Sequence, residues 1–93
     1  MEKMSKNEVQ EKLKSLNNWK LHDDVIKKEF TFDDFKSAFA FMTRVAFEAE
    51  ALTHHPNWEN VYNTVKISLN THDAEGITEK DFDLAKKIDA IYK

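Results

Sequence analysis

Two hydrophobic periods alternate along this chain. Apolar residues recur at spacings of three and four in three segments, and at a spacing of two in the stretches between them. Val9, Leu13 and Leu16 form a short helical stripe. In a central segment, about residues 33–53, Phe35, Phe39, Met42, Ala46 and Ala49 share a face widened by Ala38, Val45 and Leu52. Phe82, Ala85, Ile88 and Tyr92, flanked by Leu84 and Ile91, make a third stripe. Each stripe opens with a hydroxyl residue followed three positions later by a carboxylate: Ser5-x-x-Glu8, Thr31-x-x-Asp34 and Thr78-x-x-Asp81. Such a pair satisfies backbone N–H groups that a helix's first turn leaves without partners, so all three mark helix starts.

In the intervening stretches Trp19 and Leu21, then Ile26, Phe30 and Phe32, predict a hairpin turning at Asp23-Asp24. Val65, Ile67 and Leu69 alternate with Lys66, Ser68 and Asn70, the pattern of a half-buried strand. Val61 and a turn near Tyr62-Asn63 add a second hairpin, with Asn63 suited to a positive φ. The expected order is α-β-β-α-β-β-α. That order gives an α+β fold, a four-stranded antiparallel sheet with three helices packed on one face. No linker, repeat or low-complexity tract interrupts residues 1–93, which read as a single domain.

Ala40, Phe47 and Ala51 lie opposite the main stripe of the central helix. One exposed Phe is ordinary on its own. The favoured reading is a contact in which this helix packs on its symmetry mate. A chain of 93 residues is marginal alone, which also favours a homodimer or homotetramer.

Composition narrows the function classes. There is no cysteine, which excludes disulfides and thiolate metal sites and fits a reducing, cytoplasmic setting. Lys and Arg number 14 against 17 Asp and Glu, a formal charge of -3, with both signs mixed along the chain. No basic stripe of the kind nucleic acid requires is present. The charged N-terminus lacks the apolar centre of a signal peptide, and no apolar run approaches the roughly 20 residues that span a bilayer. Neither nucleic acid nor membrane is therefore an expected partner.

Candidate chemistry concentrates in one stretch. Of the 4 histidines, His54, His55 and His72 lie close together in sequence, and the 1 proline, Pro56, and the 1 glycine, Gly76, fall in the same stretch. Imidazole exchanges protons near neutral pH, so such a cluster points to proton transfer or metal binding. Adjacent residues on an extended segment point to opposite sides, so His54 and His55 are poorly placed to share a metal. His72 and Asp73 are conceivable further ligands, but the usual zinc spacings are missing. A metal-free site in which imidazoles move protons is the better fit. Each residue also has a plain reading. His54 follows a helix end, where imidazolium suits the helix dipole. His72 is a turn residue, and His22 lies beside the Asp23-Asp24 turn. Asp81 is explained as the cap partner of Thr78, Pro56 as a helix terminator, and Gly76 as the hinge of a tight turn. Trp58 and Tyr62 are core residues or the walls of a flat-ring pocket. Spacing alone leaves the function open.

The string Glu50-x3-His54-His55-Pro56-x5-Tyr62-x9-His72-x8-Asp81 resembles the signature of the pterin-4a-carbinolamine dehydratases. Thr71-His72-Asp73 and Gly76-x-Thr78-x-x-Asp81 extend the likeness into the last helix, and the expected element order resembles that family too. The resemblance implies dehydration of a 4a-hydroxytetrahydropterin to quinonoid dihydropterin, in recycling for aromatic amino-acid hydroxylases. It implies a small-molecule pterin as partner, with no metal and no organic cofactor. It implies His54 and His72 as acid/base groups and His55 as a residue holding the substrate. Glu50 and Asp81 match acidic positions of the motif, and Trp58 and Thr71 match positions lining the pterin pocket. Asp73 is a candidate to orient a neighbouring imidazole. Some animal members carry an acidic residue just before the histidine pair, where this chain has Thr53. Animal members also act as a dimerisation cofactor for a homeodomain transcription factor through the long helix. That role offers a second use for the Ala40, Phe47 and Ala51 face.

Overall fold

The computed structural model describes residues 2–92. The element order is α1 (Lys6–Leu13), β1 (Lys20–His22), β2 (Val25–Thr31), α2 (Phe35–Leu52), β3 (Asn57–Val61), β4 (Thr64–Leu69), a 3₁₀ turn (His72–Ala74) and α3 (Glu79–Tyr92). The strands form one antiparallel sheet in the order β1-β2-β4-β3. Both the expected order and the α+β architecture, with the three helices on one face, are therefore present. Among the described residues no helix is long and apolar enough to cross a membrane.

The period-two pattern sets the two faces of the sheet. Ile26 pairs with Leu69, Phe30 with Val65 and Trp58 with Ile67, and these side chains turn toward the helices. Ile26, Phe30, Val65 and Ile67 are completely buried. Burial of each such side chain stabilises the fold by about 1.5–3 kcal/mol. Glu29 and Glu59, both opposite Lys66, occupy the other, solvent-facing side. Phe82, Leu84, Ala85 and Ile88 seat α3 on the core, and Tyr92 closes its end with its ring centroid 4.8 Å from that of Phe30, edge to face.

Ser5 and Glu8 form the expected box at α1, each side chain accepting the other's backbone N–H. The helix stops at Leu13, so Leu16 reaches the core from the turn that follows rather than from the helix.

Several expectations need correction. Thr31 does not cap α2, because it is the last residue of β2 and pairs with Thr64. Asp34 is the cap instead, accepting the Ser37 N–H at 2.8 Å. That bond holds the Asp34 carboxyl below its ordinary value. The buried stripe of α2 is also rotated. It runs Ala38, Phe41, Val45 and Ala49, while Phe35, Phe39 and Ala46 are exposed. Phe41 takes the core position because it meets Phe30 and Phe32 at 5.0 and 4.9 Å. In the second hairpin the positive φ, 51°, falls on Tyr62 and not on Asn63. Asn63 instead ties the turn to the end of β2, its side chain donating to the carbonyl of Phe32, the residue after that strand, at 2.9 Å. Gly76 has no positive φ; Glu75, with φ 57°, makes that turn. A Cβ at position 76 would meet the Lys3 side chain at 2.9 Å, so any larger residue there would have to push that exposed side chain aside. Finally, α2 has already ended at Thr53, so Pro56 does not terminate it; Pro56 stands just before β3.

Candidate active site

Taken as whole residues, the buried polar positions among the described residues are His54, Thr78 and Asp81. All three belong to one hydrogen-bonded network.

His54 is aimed by the way α2 ends. The Thr53 N–H bonds to the Glu50 carbonyl at 3.1 Å and the His54 N–H to the Ala49 carbonyl at 3.0 Å. This double closure requires a left-handed residue at Thr53, whose φ and ψ are 51° and 45°. A β-branched residue rarely adopts that conformation, at a cost of about 1–2 kcal/mol. The turn sends His54 inward to the start of α3. Pro56 then confines His55 to extended backbone and leads into β3.

His54 Nε2 lies 2.5 Å from Asp81 Oδ1. Asp81 Oδ2 accepts the Thr78 backbone N–H and the Thr71 hydroxyl, both at 2.9 Å. Thr71 and Thr78 hydroxyls are 2.8 Å apart, and Thr78 Oγ1 accepts the Lys80 N–H at 3.3 Å. With Asp81 as a carboxylate, His54 Nε2 carries the hydrogen and donates it, which assigns the tautomer from the network. The neutral ring then has its free lone pair at Nδ1. No described residue bonds Nδ1, and among the described residues no fully buried side-chain nitrogen or oxygen lacks a partner, so Nδ1 is not wholly shut off from the surface.

The other expected residues fall in distinct places. His55 turns away from His54 and bonds Glu50 Oε1 at 2.6 Å, in a pair that is largely exposed. Such a surface pair contributes at most about 1 kcal/mol. His72 and Asp73 are exposed on the 3₁₀ turn, and their side chains make no hydrogen bond to the described residues. The carboxylates that orient imidazoles are thus Asp81 and Glu50, not Asp73. The His72 loop is closed at its neck by Thr71, whose N–H donates to the Gly76 carbonyl at 2.8 Å. Trp58 is half-buried on edge strand β3. Asp81, the acidic motif position, is 0% exposed, and both its oxygens are bonded within the chain itself. Its part is to position His54. Thr78 was read only as a helix cap. It also buttresses Thr71, a contact no local pattern announces.

A wide concavity, about 1020 Å³, lies elsewhere, on the open face of the sheet. Lys20, Lys27, Lys66 and Glu59 line it, and among the candidate site residues only Trp58 borders it. Concavity alone carries no chemistry, so the buried polar network is the better marker of the site.

A sequence profile described as "Pterin 4 alpha carbinolamine dehydratase" matches residues 2–91. A Christiangramia forsetii protein assigned by name to the pterin-4-alpha-carbinolamine dehydratases is 55% identical, covering 98% of this chain and 94% of its own. A similarly assigned Mesorhizobium japonicum protein is 53% identical, covering 94% of this chain and 91% of its own. The crystal structure of a transcriptional coactivator/pterin dehydratase from Brucella melitensis superposes with a TM-score of 0.95 at 41% identity, covering 98% of this chain and 99% of that one. A pterin dehydratase-like RuBisCO assembly factor of the alpha-carboxysome, 22% identical over 83% of this chain and 92% of its own, has a TM-score of 0.70 and shares the fold. Sequence and fold thus agree along nearly the whole length, and the chain belongs to the pterin 4 alpha carbinolamine dehydratase family.

Proposed function

We propose that the chain dehydrates a 4a-hydroxytetrahydropterin to quinonoid dihydropterin and water in the cytoplasm, regenerating pterin for aromatic amino-acid hydroxylases. The observation that carries this reading is the His54–Asp81 pair, a buried carboxylate on one imidazole nitrogen with the other nitrogen open. In the proposed reaction His54 Nδ1 takes a proton from a ring nitrogen of the substrate. The C4a–O bond breaks and the electron pair left on nitrogen forms the new double bond to C4a. The hydroxyl leaves as water after receiving a proton. Asp81 stabilises the imidazolium that forms on His54, as a carboxylate does behind a histidine base. His72, whose ring is exposed and has no hydrogen-bond partner among the described residues, is the proposed acid, and His55, braced by Glu50, holds the substrate. Each positioned acid or base supplies about 10²–10⁴-fold in rate, enough for a dehydration without metal or organic cofactor.

The test is a dehydration assay on freshly generated 4a-hydroxypterin, with and without chelator. The expected result is full activity in both. Loss on chelation would transfer the role to a metal.

We further propose that the chain works as a homodimer or homotetramer through α2. Phe39 and Phe47 are 56% and 73% exposed, and Ala40, Ala46 and Ala51 accompany them on the surface. So much apolar area on one helix favours a self-association face. Phe47→Glu is expected to lower the mass seen by light scattering; an unchanged mass removes the idea.

A further inference from the structure

The Thr71 hydroxyl is engaged within the chain, between Thr78 and Asp81. A carboxylate only accepts, so the Thr71 hydroxyl hydrogen goes to Asp81 Oδ2. Thr71 Oγ1 must then accept from Thr78, whose own oxygen receives the Lys80 N–H. Every hydrogen in the chain from Lys80 through Thr78 and Thr71 to Asp81 therefore has a fixed direction, and such aligned bonds strengthen one another. Meanwhile the Thr71 backbone closes the neck of the loop that carries His72. Its N–H and C=O both pair with Gly76, at 2.8 and 3.4 Å, and the Ala74 N–H reaches its carbonyl at 3.1 Å. One residue thus joins the carboxylate that aims His54 to the loop that carries His72.

We propose that Thr71 is a positioning residue for both histidines, acting on His54 through Asp81 and on His72 through the loop neck. The kinetic part of this proposal rests on the dehydratase reading above. Without the hydroxyl, Asp81 Oδ2 keeps only the Thr78 N–H, and the loop loses its anchor to α3. Both histidines then sample unproductive orientations, which lowers kcat rather than substrate affinity.

The test compares Thr71→Val, of similar volume without the hydroxyl, with Thr71→Ser, which keeps it. Dehydration kinetics are read together with the ¹⁵N NMR signals of the His54 ring. Thr71→Val is expected to lower kcat about tenfold with KM within about twofold, and Thr71→Ser to restore kcat to within about threefold. The His54 Nε2–H tautomer is expected in the wild type and the serine variant, and a mixture of tautomers in the valine variant. A raised KM at unchanged kcat would make Thr71 a ligand contact and overturn the proposal. A lowered melting temperature with unchanged kcat and unchanged His54 signals would leave it a purely structural role and overturn it equally. Should the wild type show no dehydration, the function proposed above fails, and the NMR comparison still decides whether Thr71 sets His54. Thr71→Ala, read by the same two measurements, serves if the valine variant does not fold.

Discussion

Helix α3 holds two carboxylates on its inner side, and they behave differently. Asp81, in its first turn, faces His54 and two threonines. Asp89, near its other end, accepts the Trp19 indole N–H at 3.0 Å and the Lys28 ammonium at 2.8 Å. Lys28 is itself enclosed, its side chain 7% exposed and its nitrogen 4.9 Å above the Phe30 ring. Both clusters bridge distant parts of the chain. The Asp89 cluster is a strut, because an indole N–H has no lone pair to offer and an ammonium is a donor only. The Asp81 cluster contains the one partner that accepts a proton on its second nitrogen while donating through its first. A buried carboxylate therefore marks chemistry only through what it faces.

The largest effect expected from breaking this contrast is at Asp81. Asp81→Asn offers an amide that can donate to His54 Nε2, which favours the wrong tautomer, and dehydration should fall by about 10²-fold or more. The check is kcat, with circular dichroism confirming an intact fold. Asp89→Asn should reverse the pattern. Lys28 loses its counter-charge, stability falls by about 1.5–3 kcal/mol in urea unfolding, and kcat stays within about twofold.

How much of this was legible follows from how local each signal is. The Ser5-Glu8 box and the strand faces rest on neighbours a few residues apart, and they stand as read. The phase of α2 was not legible. Phe35, Phe39, Phe41 and Phe47 surround the helix, so periodicity cannot say which of them faces Phe30 and Phe32. At the site, the histidines stood out by type, but the His54–Asp81 bond joins residues 27 apart. Capping already accounted for Asp81 locally, which concealed its second role. The Trp19–Asp89 bond, across 70 residues, has no sequence signature at all.

Two smaller effects sharpen the account. Thr53→Gly removes the left-handed strain beside His54 and should stabilise the fold by about 1 kcal/mol, raising the melting temperature by about 4–8 °C. Because glycine keeps the left-handed turn and Asp81 still holds the His54 ring, kcat should change by less than about twofold. The smallest effect is at Asp34, whose lowered carboxyl stabilises the folded state above its ordinary value of 3.8. That contribution is lost as pH falls through the still lower folded value, so Asp34→Asn should flatten the acid limb of the stability curve and leave neutral pH activity intact.

The central claim is that His54, held by Asp81, moves the proton. Its most direct measurement is the dehydration rate of His54→Ala on freshly generated 4a-hydroxypterin, beside the wild type and with the fold checked by circular dichroism. A rate at least about tenfold lower, in a folded protein, is expected. Full activity in that variant would contradict it.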